Sequence, residues 1–309
     1  MAHIALKKKG NKGDLLFYSI LMIWPLLQFA VFYIYVNFNS ILFAFSKYTD
    51  DTRSISFSYL FANIKEFIRS VNTGGNQYLG EALGRSILGW VIVTGISLPL
   101  GLFFSYYIGK KMFGAGFFRV ILFLPSVISI LVLVYVYNIF VTDTLPAILK
   151  DFFNIKIDNP LDSTKQSAFN AILVFKIFIG FGTAVLMFSN VVSEVSPDTL
   201  EAGKIDGASA IQEFWHIVLP SLYSTITVFL ITSVSNILLD QFDAFSFYSW
   251  YPGDKVITIG LLFFMKSTAT NAETLYPAIA AFGVLLTCIA VPTTFIVKYL
   301  LERFGPSED

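Results

Sequence analysis

Two sets of polar residues interrupt long apolar stretches of this sequence. The first set is spaced i, i+4 and i+7 and the second i, i+3 and i+7, so each falls on one face of a helix. Polar and ionisable side chains are costly inside a membrane, which makes such faces candidates for a solute pathway. Helix packing through small and polar residues is the alternative, and it explains Thr183 and Ser233 equally well. The two sets are Lys176, Gly180 and Thr183, and Ser233, Asn236 and Asp240.

The segment between these sets, residues 196–221, is polar and predicts two short helices. Ser196 and Pro197 are typical of a helix start, and Gly207 permits the turn that ends the first helix. Apolar residues at helical spacing then predict a second, amphipathic helix. These apolar residues are Ile211, Phe214 and Trp215.

We expect the first short helix to dock against another protein. Gly203 and Gly207 are four residues apart, which clears side chains from one strip and allows close approach. Glu201 and Asp206 flank the strip and can accept hydrogen bonds from a partner. Anionic lipid would repel this segment, because Lys204 is its only basic residue among several acidic ones. The acidic residues are Asp198, Glu201, Asp206 and Glu213, and Glu194 lies just before the segment.

The sequence groups no residues typical of catalysis or metal binding. The two histidines, His3 and His216, lie in the N-terminal tail and in the polar segment. No carboxylate pair and no His-Glu-x-x-His motif lies in an apolar run, which disfavours a membrane-embedded enzyme. An ion channel would need a filter-like segment, and the sequence has none. We therefore predict no catalytic residue and no metal site.

Apolar stretches long enough to cross a membrane must position the polar faces. Hydrophobic residues make up 55% of the chain and charged residues 14%, whereas soluble domains average about 25% charged. The sequence thus predicts an all-α integral membrane protein with about six transmembrane helices and two short cytoplasmic helices. A net charge of zero indicates no nucleic-acid partner. Six runs approach the roughly 20 residues of a span, namely Leu15–Val36, Ile87–Ile108, Phe117–Val141, Ala168–Val191, Leu222–Leu239 and Ala278–Leu300.

A lysine cluster before the first span places the N-terminus in the cytoplasm by the positive-inside rule. The even number of spans then returns the C-terminus to the same side. This divides the chain into a tail (residues 1–14), a membrane domain (15–301) with its cytoplasmic loop at 192–221, and a C-terminal tail (302–309). Basic residues elsewhere do not all agree, because some fall outside. The cluster is Lys7, Lys8, Lys9 and Lys12, and the disagreeing residues are Lys47, Arg53, Lys65 and Arg69.

The two outer connections are each too short to form an ordinary independent domain. In the first outer connection, Ser46–Arg85, the stretch Ile64–Val71 predicts a short helix. The second outer connection is Thr142–Ser167. The apolar stretch Val256–Phe264 is too short to span, so it predicts a helix lying on the membrane surface.

The polar segment resembles the EAA loop of ATP-binding cassette (ABC) importer permeases. The run Glu201-Ala202-Gly203-Lys204-Ile205-Asp206-Gly207-Ala208 is followed by Phe214, Ile217 and Leu219-Pro220 at the offsets of that motif. Gly203 replaces the second alanine, and Ser224 stands where a proline is frequent. The first departure keeps the close approach, because glycine is at least as small as alanine.

Two further segments are similar to the carbohydrate (maltose-type) subclass of these permeases, so the resemblance runs roughly from Ala82 to Phe304. They are Leu124-Pro125-Ser126-Val127-Ile128-Ser129, which favours the first of the two permeases in such systems, and Phe242-Asp243. The resemblance implies a subunit that moves a sugar or oligosaccharide inward across a prokaryotic cell membrane. It also implies that polar faces in the fourth and fifth spans line the pathway.

The resemblance implies several partners for this chain. They are a second homologous permease, two ATPase subunits, a periplasmic or extracellular solute-binding protein, and membrane lipid. The sequence has no G-x-x-x-x-G-K-[ST] loop, so ATP and Mg²⁺ would be held by the separate ATPase, and this chain would be neither an enzyme nor a cofactor protein. The residues implied in ATPase coupling are Glu201, Ala202, Gly203, Asp206, Gly207 and Ala208.

The sequence does not determine which solute is transported. An importer of polyamine or phosphate is the alternative to a sugar importer. Lys176 could pair with Asp240, or it could meet an acidic sugar such as a uronate or a sialic acid. Both arrangements would avoid an unpaired ammonium group in hydrocarbon.

Overall fold

The computed structural model describes residues 12–49, 52–72, 78–269 and 275–305. Within these ranges, five helices are long and apolar enough to cross a membrane, and a pair bent by 66° could form a sixth span. The predicted all-α membrane fold with about six spans is confirmed. Lys7, Lys8, Lys9 and the outer parts of both predicted tails lie outside the described residues. The five helices are Leu16–Ala44, Tyr78–Gly109, Ile130–Phe153, Gln166–Glu194 and Tyr276–Phe304, and the bent pair is Ala210–Ser221 with Tyr223–Ser235.

The described residues form fifteen α-helices, three π-helical turns and two short strands. The α-helices are α1 Lys12–Gln28, α2 Val36–Ala44, α3 Ser58–Val71, α4 Tyr78–Gly109, α5 Ala115–Val127, α6 Ile130–Ile139, α7 Leu145–Phe153, α8 Gln166–Glu194, α9 Pro197–Ile205, α10 Ala210–Glu213, α11 Leu219–Ser221, α12 Tyr223–Ser235, α13 Ala244–Tyr248, α14 Ile259–Ala269 and α15 Tyr276–Phe304. Short π-helical turns at Phe29–Tyr35, Phe140–Thr144 and Phe214–Val218 join neighbouring helices, and the strands are β1 Ser46–Thr49 and β2 Thr52–Ile55.

Contacts divide the chain into two units, and the smaller one comprises Met1–Phe67 with Thr270–Leu285. Its strands β1 and β2 pair antiparallel. The Asn63 side-chain amide donates to the carbonyl oxygens of Ala44 and Ser46 at 3.0 and 2.9 Å, which fixes the start of the hairpin. Helix α3 begins at Ser58, six residues before the predicted start. The strands were not predicted, because they lack the apolar alternation typical of a half-buried strand.

Helices of the larger unit, Ile68–Ala269 with Leu286–Asp309, are joined by hydrogen bonds inside an apolar environment. The Ser105 hydroxyl in α4 donates to the Val185 carbonyl oxygen in α8 at 3.0 Å. The Tyr137 hydroxyl in α6 donates to the Ala171 carbonyl oxygen in α8 at 2.8 Å. Such bonds supplement van der Waals packing between membrane helices, and they make α8 the centre of this unit.

The third predicted span is broken rather than continuous. Helix α5 ends at Val127, Ile128 is extended with ψ 142°, and α6 begins after Ser129. The Ser129 carbonyl oxygen accepts hydrogen bonds from the first turn of α6, so it starts a new helix instead of continuing the old one. The Leu124–Ser129 motif therefore coincides with the break.

The end of the fifth predicted span also differs from expectation. Helix α12 ends at Ser235, and the chain leaves the helix at Asn236 instead of continuing to Leu239. The stretch predicted to lie on the membrane surface is instead packed inside the protein, because Val256, Ile259 and Leu261 are buried. Apolar side chains on more than one face of this segment explain why a surface position would be unfavourable.

Candidate functional site

A cavity of about 650 Å³ lies in the larger unit, among α4, α8, α12 and the segment after α12. Five of the six predicted pathway residues line it together, namely Lys176, Gly180, Ser233, Asn236 and Asp240. Thr183 is exposed and does not line this cavity. Helical spacing placed Thr183 on the face of Lys176, but it lies almost two turns further along α8, beyond the cavity.

Lys176 faces two carboxylates at the cavity wall. Its ammonium nitrogen lies 3.2 Å from Asp243 Oδ2 and 3.5 Å from Asp240 Oδ1. The three side chains are between 26% and 33% exposed, so they keep contact with the cavity. Sequence reasoning proposed Asp240 as a partner and missed Asp243. Asp243 follows the end of α12, where helical spacing no longer applies.

The backbone after α12 places the two carboxylates side by side. Asp240 Oδ1 accepts a hydrogen bond from the backbone N–H of Phe242 at 2.7 Å, which closes a tight turn. Phe242 and Asp243 then both have left-handed backbone angles, with φ of 51° and 60°. Such angles are uncommon for residues other than glycine and are found where the surrounding structure holds them in place.

The Phe242 side chain anchors this turn in the core. It is 2% exposed and meets Phe169 edge to face, with ring centroids 6.1 Å apart. Gly89 in α4 makes room for both rings, because a Cβ there would lie 2.8 Å from Phe242 and 3.1 Å from Phe169. Gly89 in α4 therefore helps to set the position of Asp240 and Asp243, which follow α12.

A second polar group at the cavity joins α4 to α12. The Trp90 indole N–H donates to Ser233 Oγ at 2.6 Å, and Thr94 Oγ1 lies 3.0 Å from the same oxygen. Ser97 Oγ, one turn further along α4, is buried and has no hydrogen-bond partner among the described residues. Sequence reasoning missed these α4 residues, although Trp90, Thr94 and Ser97 follow one another at helical spacing.

The polar loop folds into the two predicted short helices. Helix α9 ends before Gly207, as predicted, and the φ of +81° at Gly207 is a left-handed angle that glycine adopts readily. Glu201, Ala202, Asp206 and Gly207 are exposed. Gly203 is half-buried instead of forming an open strip with Gly207, and Ala208 is half-buried too. The reason is that Gly203 packs against the second helix, where its Cβ would lie 2.7 Å from Ile217 Cδ1.

The helix starts in this loop differ from each other. Ser196 occupies the predicted first position, but its side chain makes no capping hydrogen bond. Ser209 and Gln212 instead form a reciprocal capping box at the start of α10, which the sequence analysis did not identify. The second helix is therefore the better anchored of the two.

A buried ion pair ties the second helix of the loop to α4. Glu213, with its side chain only 3% exposed, pairs with Lys110 just beyond the end of α4. The Tyr106 hydroxyl also lies 3.1 Å from Glu213 Oε1. Burial alone would lower the pKa of Lys110, but its hydrogen bonds with Glu213 and Tyr106 outweigh burial and raise the pKa.

A family profile and a curated relative both cover most of this chain. The profile described as "Binding-protein-dependent transport system inner membrane component" matches residues 97–306. The "Multiple sugar-binding transport system permease protein MsmF" of Streptococcus mutans is 24% identical over 288 residues, which is 92% of this chain and 94% of that protein. Both matches take in the cavity residues of α8 and α12 and the polar loop.

Solved structures share the fold. A bacterial ABC transporter "involved in the import of the acidic polysaccharide alginate" superposes with a TM-score of 0.77 at 17% identity, covering 96% of this chain and 98% of that one. A bacterial alginate transporter in complex with an "alginate pentasaccharide-bound periplasmic protein" gives 0.71 at 16% identity, with the same coverage. At this identity the likeness concerns the fold alone.

Proposed function

The chain belongs to the family of binding-protein-dependent transport system inner membrane components, and from this premise we propose that it is the permease subunit of an ABC importer for a sugar or oligosaccharide. The observation that carries the proposal is the match to a multiple-sugar permease over 92% of the chain. The cavity supports it with hydroxyl, amide and indole groups, which suit a solute rich in hydroxyls.

In this proposal the chain acts within an assembly. A second, homologous permease completes the pathway, and an extracellular or periplasmic solute-binding protein delivers the sugar. Two ATPase subunits hold ATP and Mg²⁺, since this chain has no phosphate-binding loop. Both termini and the loop lie in the cytoplasm of a prokaryotic cell, as the N-terminal lysines favour.

The loop connects the proposed ATPase contact with the cavity. The exposed groups of α9, including Glu201 and Asp206, offer acceptors to an ATPase subunit. The second helix carries Glu213, which holds Lys110 at the end of α4. The same helix α4 supplies Trp90 to the cavity wall. We expect a movement of the loop to reach the solute site through α4, which carries Pro99 between its two contacts.

An uptake panel in cells tests the proposal. We expect loss of this chain to abolish uptake of one or more radiolabelled sugars, and the intact chain to restore it. Gly207→Leu should reach the membrane but fail to restore uptake, because a side chain there obstructs docking and leucine disfavours a left-handed angle. Gly207→Asn, which tolerates that angle, should fail as well if docking is the cause. A defect confined to putrescine or phosphate uptake would contradict a sugar importer.

A further inference from the structure

The charges on the cavity wall point to a class of saccharide. Among the described residues that line the cavity, the charged ones are Lys176, Asp240 and Asp243, which gives one positive and two negative groups. We infer that this wall admits uncharged saccharides and disfavours those that carry carboxylates. The inference rests on the proposed function, because it concerns the solute of the same cavity.

Lys176 is already engaged by fixed partners. Two carboxylates lie 3.2 and 3.5 Å from its ammonium nitrogen, and both belong to one tight turn of the chain. A uronate approaching Lys176 would also approach Asp240 and Asp243, which repel it. The lysine therefore holds the two carboxylates in place and does not offer a free positive charge to a solute.

The other polar groups of the wall suit neutral hydroxyls. Ser97 Oγ is buried at the cavity without a hydrogen-bond partner in the described part of the chain. Because Ser97 Oγ is closed to solvent, the hydroxyl groups that remain for a solute include those of the half-buried Thr94 and Ser233. Asn236 and Gln241 add amide groups, and the rings of Trp90 and Phe245 add apolar surface.

Of the two carboxylates, Asp243 is the one whose charge can be removed with less disturbance of the backbone turn. Asp240 also accepts the Phe242 N–H within the turn, so its replacement would disturb the backbone. Asp243 contacts Lys176 as its side-chain partner. Asp243→Asn keeps the size of the side chain and brings the net charge of the wall from −1 to zero.

Three trisaccharides matched in linkage provide the test. They are the β-1,4-linked trimers of glucose, glucosamine and glucuronate, which are neutral, cationic and anionic. Binding to the assembled importer in lipid nanodiscs, without its solute-binding protein, is measured by saturation-transfer difference NMR. This arrangement isolates the cavity from the selectivity of the binding protein. Asp254→Asn, outside the cavity lining, serves as the control for a general loss of negative charge.

We expect the glucuronate trimer to bind about tenfold more weakly than the glucose trimer, as one net charge at close range implies. The glucosamine trimer should bind at least as well as glucose. Asp243→Asn should reduce the difference between glucose and glucuronate severalfold, and Asp254→Asn should leave it unchanged.

Several outcomes would overturn the inference. Equal or tighter binding of glucuronate to the unaltered protein would do so, as would a preference that Asp243→Asn leaves intact. Absence of binding by all three trimers would remove the saccharide site from this cavity. None of these results decides the proposed function, which depends on the uptake panel in cells.

Discussion

Two charged clusters in this chain use the same residue types in opposite ways. At the cavity, Lys176 shares two carboxylates, and all three side chains are at least 26% exposed. At the polar loop, the carboxylate that pairs with Lys110 among the described residues is Glu213, which is 3% exposed. The first cluster has a net charge of −1 and borders the cavity, and we call it the open cluster. The second has equal positive and negative charge and a buried carboxylate, and we call it the closed pair.

The difference separates the proposed solute-facing surface from a contact that holds two elements of the protein together. A buried carboxylate without its partner is strongly unfavourable, so Glu213 and Lys110 hold the loop to the end of α4. Charges that keep contact with water lose less when a partner is removed. The cavity cluster can therefore carry an excess negative charge, and the closed pair cannot.

Breaking the closed pair should have the largest effect. Lys110→Met leaves Glu213 buried and unpaired, which we expect to cost about 3 kcal/mol of stability and to reduce the amount of protein in the membrane. Melting temperature in detergent and membrane abundance measure this. Lys111→Met, at the exposed neighbouring lysine, is the matched control. Adding Glu213→Leu to Lys110→Met should restore much of the lost stability. A normal melting temperature for Lys110→Met alone would contradict the proposed difference between the closed pair and the open cluster.

Overpacking beside the open cluster should have the next largest effect. Gly89→Ala places a Cβ 2.8 Å from the Phe242 ring, so we expect a loss of about 2 kcal/mol and weaker sugar uptake. Gly95→Ala on the same helix is the control, because its Cβ meets no atom within 4 Å. If both variants melt alike, Gly89 does not position the Asp240–Asp243 turn.

Removing the lysine of the open cluster should cost less. Lys176→Met leaves two partly hydrated carboxylates together, and we expect a loss of about 1 kcal/mol with reduced uptake. Lys176→Met with Asp243→Asn keeps the net charge of the wall at −1 and should recover both. A single variant that is fully stable but inactive, and that the second change does not rescue, would indicate that Lys176 contacts an anionic solute instead.

A third ion pair, Lys165 with Asp158, is more exposed to solvent than the other two charged clusters. Lys165 lies 2.7 Å from Asp158, and their side chains are 48% and 85% exposed. Its hydrogen bond lowers the pKa of Asp158, so any stabilisation is present above about pH 4 and is lost as the pH falls through the lowered pKa. We expect Lys165→Met to leave the melting temperature at pH 7 unchanged, because water screens such pairs. A clear decrease in melting temperature would show that solvent exposure does not determine how much each ion pair contributes to stability.

Sequence patterns predicted the parts of the molecule that depend on local chemistry. The presence of about six apolar spans, the two short loop helices and the turn at Gly207 follow from apolar runs and from residue types at helix ends. Five of the six residues chosen by helical spacing do line the cavity, because Lys176 lies on α8 and Asn236 lies at the end of α12.

The remaining features depend on contacts between distant segments. Lys110 and Glu213 are 103 residues apart, so no local pattern links them. Asp243 joins the cluster only because the chain leaves the helix at Asn236 and then adopts left-handed backbone angles at Phe242 and Asp243. Neither residue type predicts such an angle. The break at Ile128 was hidden for a similar reason, since apolar residues continue on both sides of it.

Accessibility of single cysteines tests the central claim that the open cluster borders a saccharide site. In a Cys288→Ala background, Asn236→Cys at the cavity is compared with Ser189→Cys, whose position is buried. Labelling of the assembled importer by a small thiol reagent is followed with and without the transported sugar. We predict that the cysteine at 236 reacts and that sugar slows the reaction, while the cysteine at 189 stays unreactive in both conditions. Equal rates at 236 with and without sugar would contradict the claim.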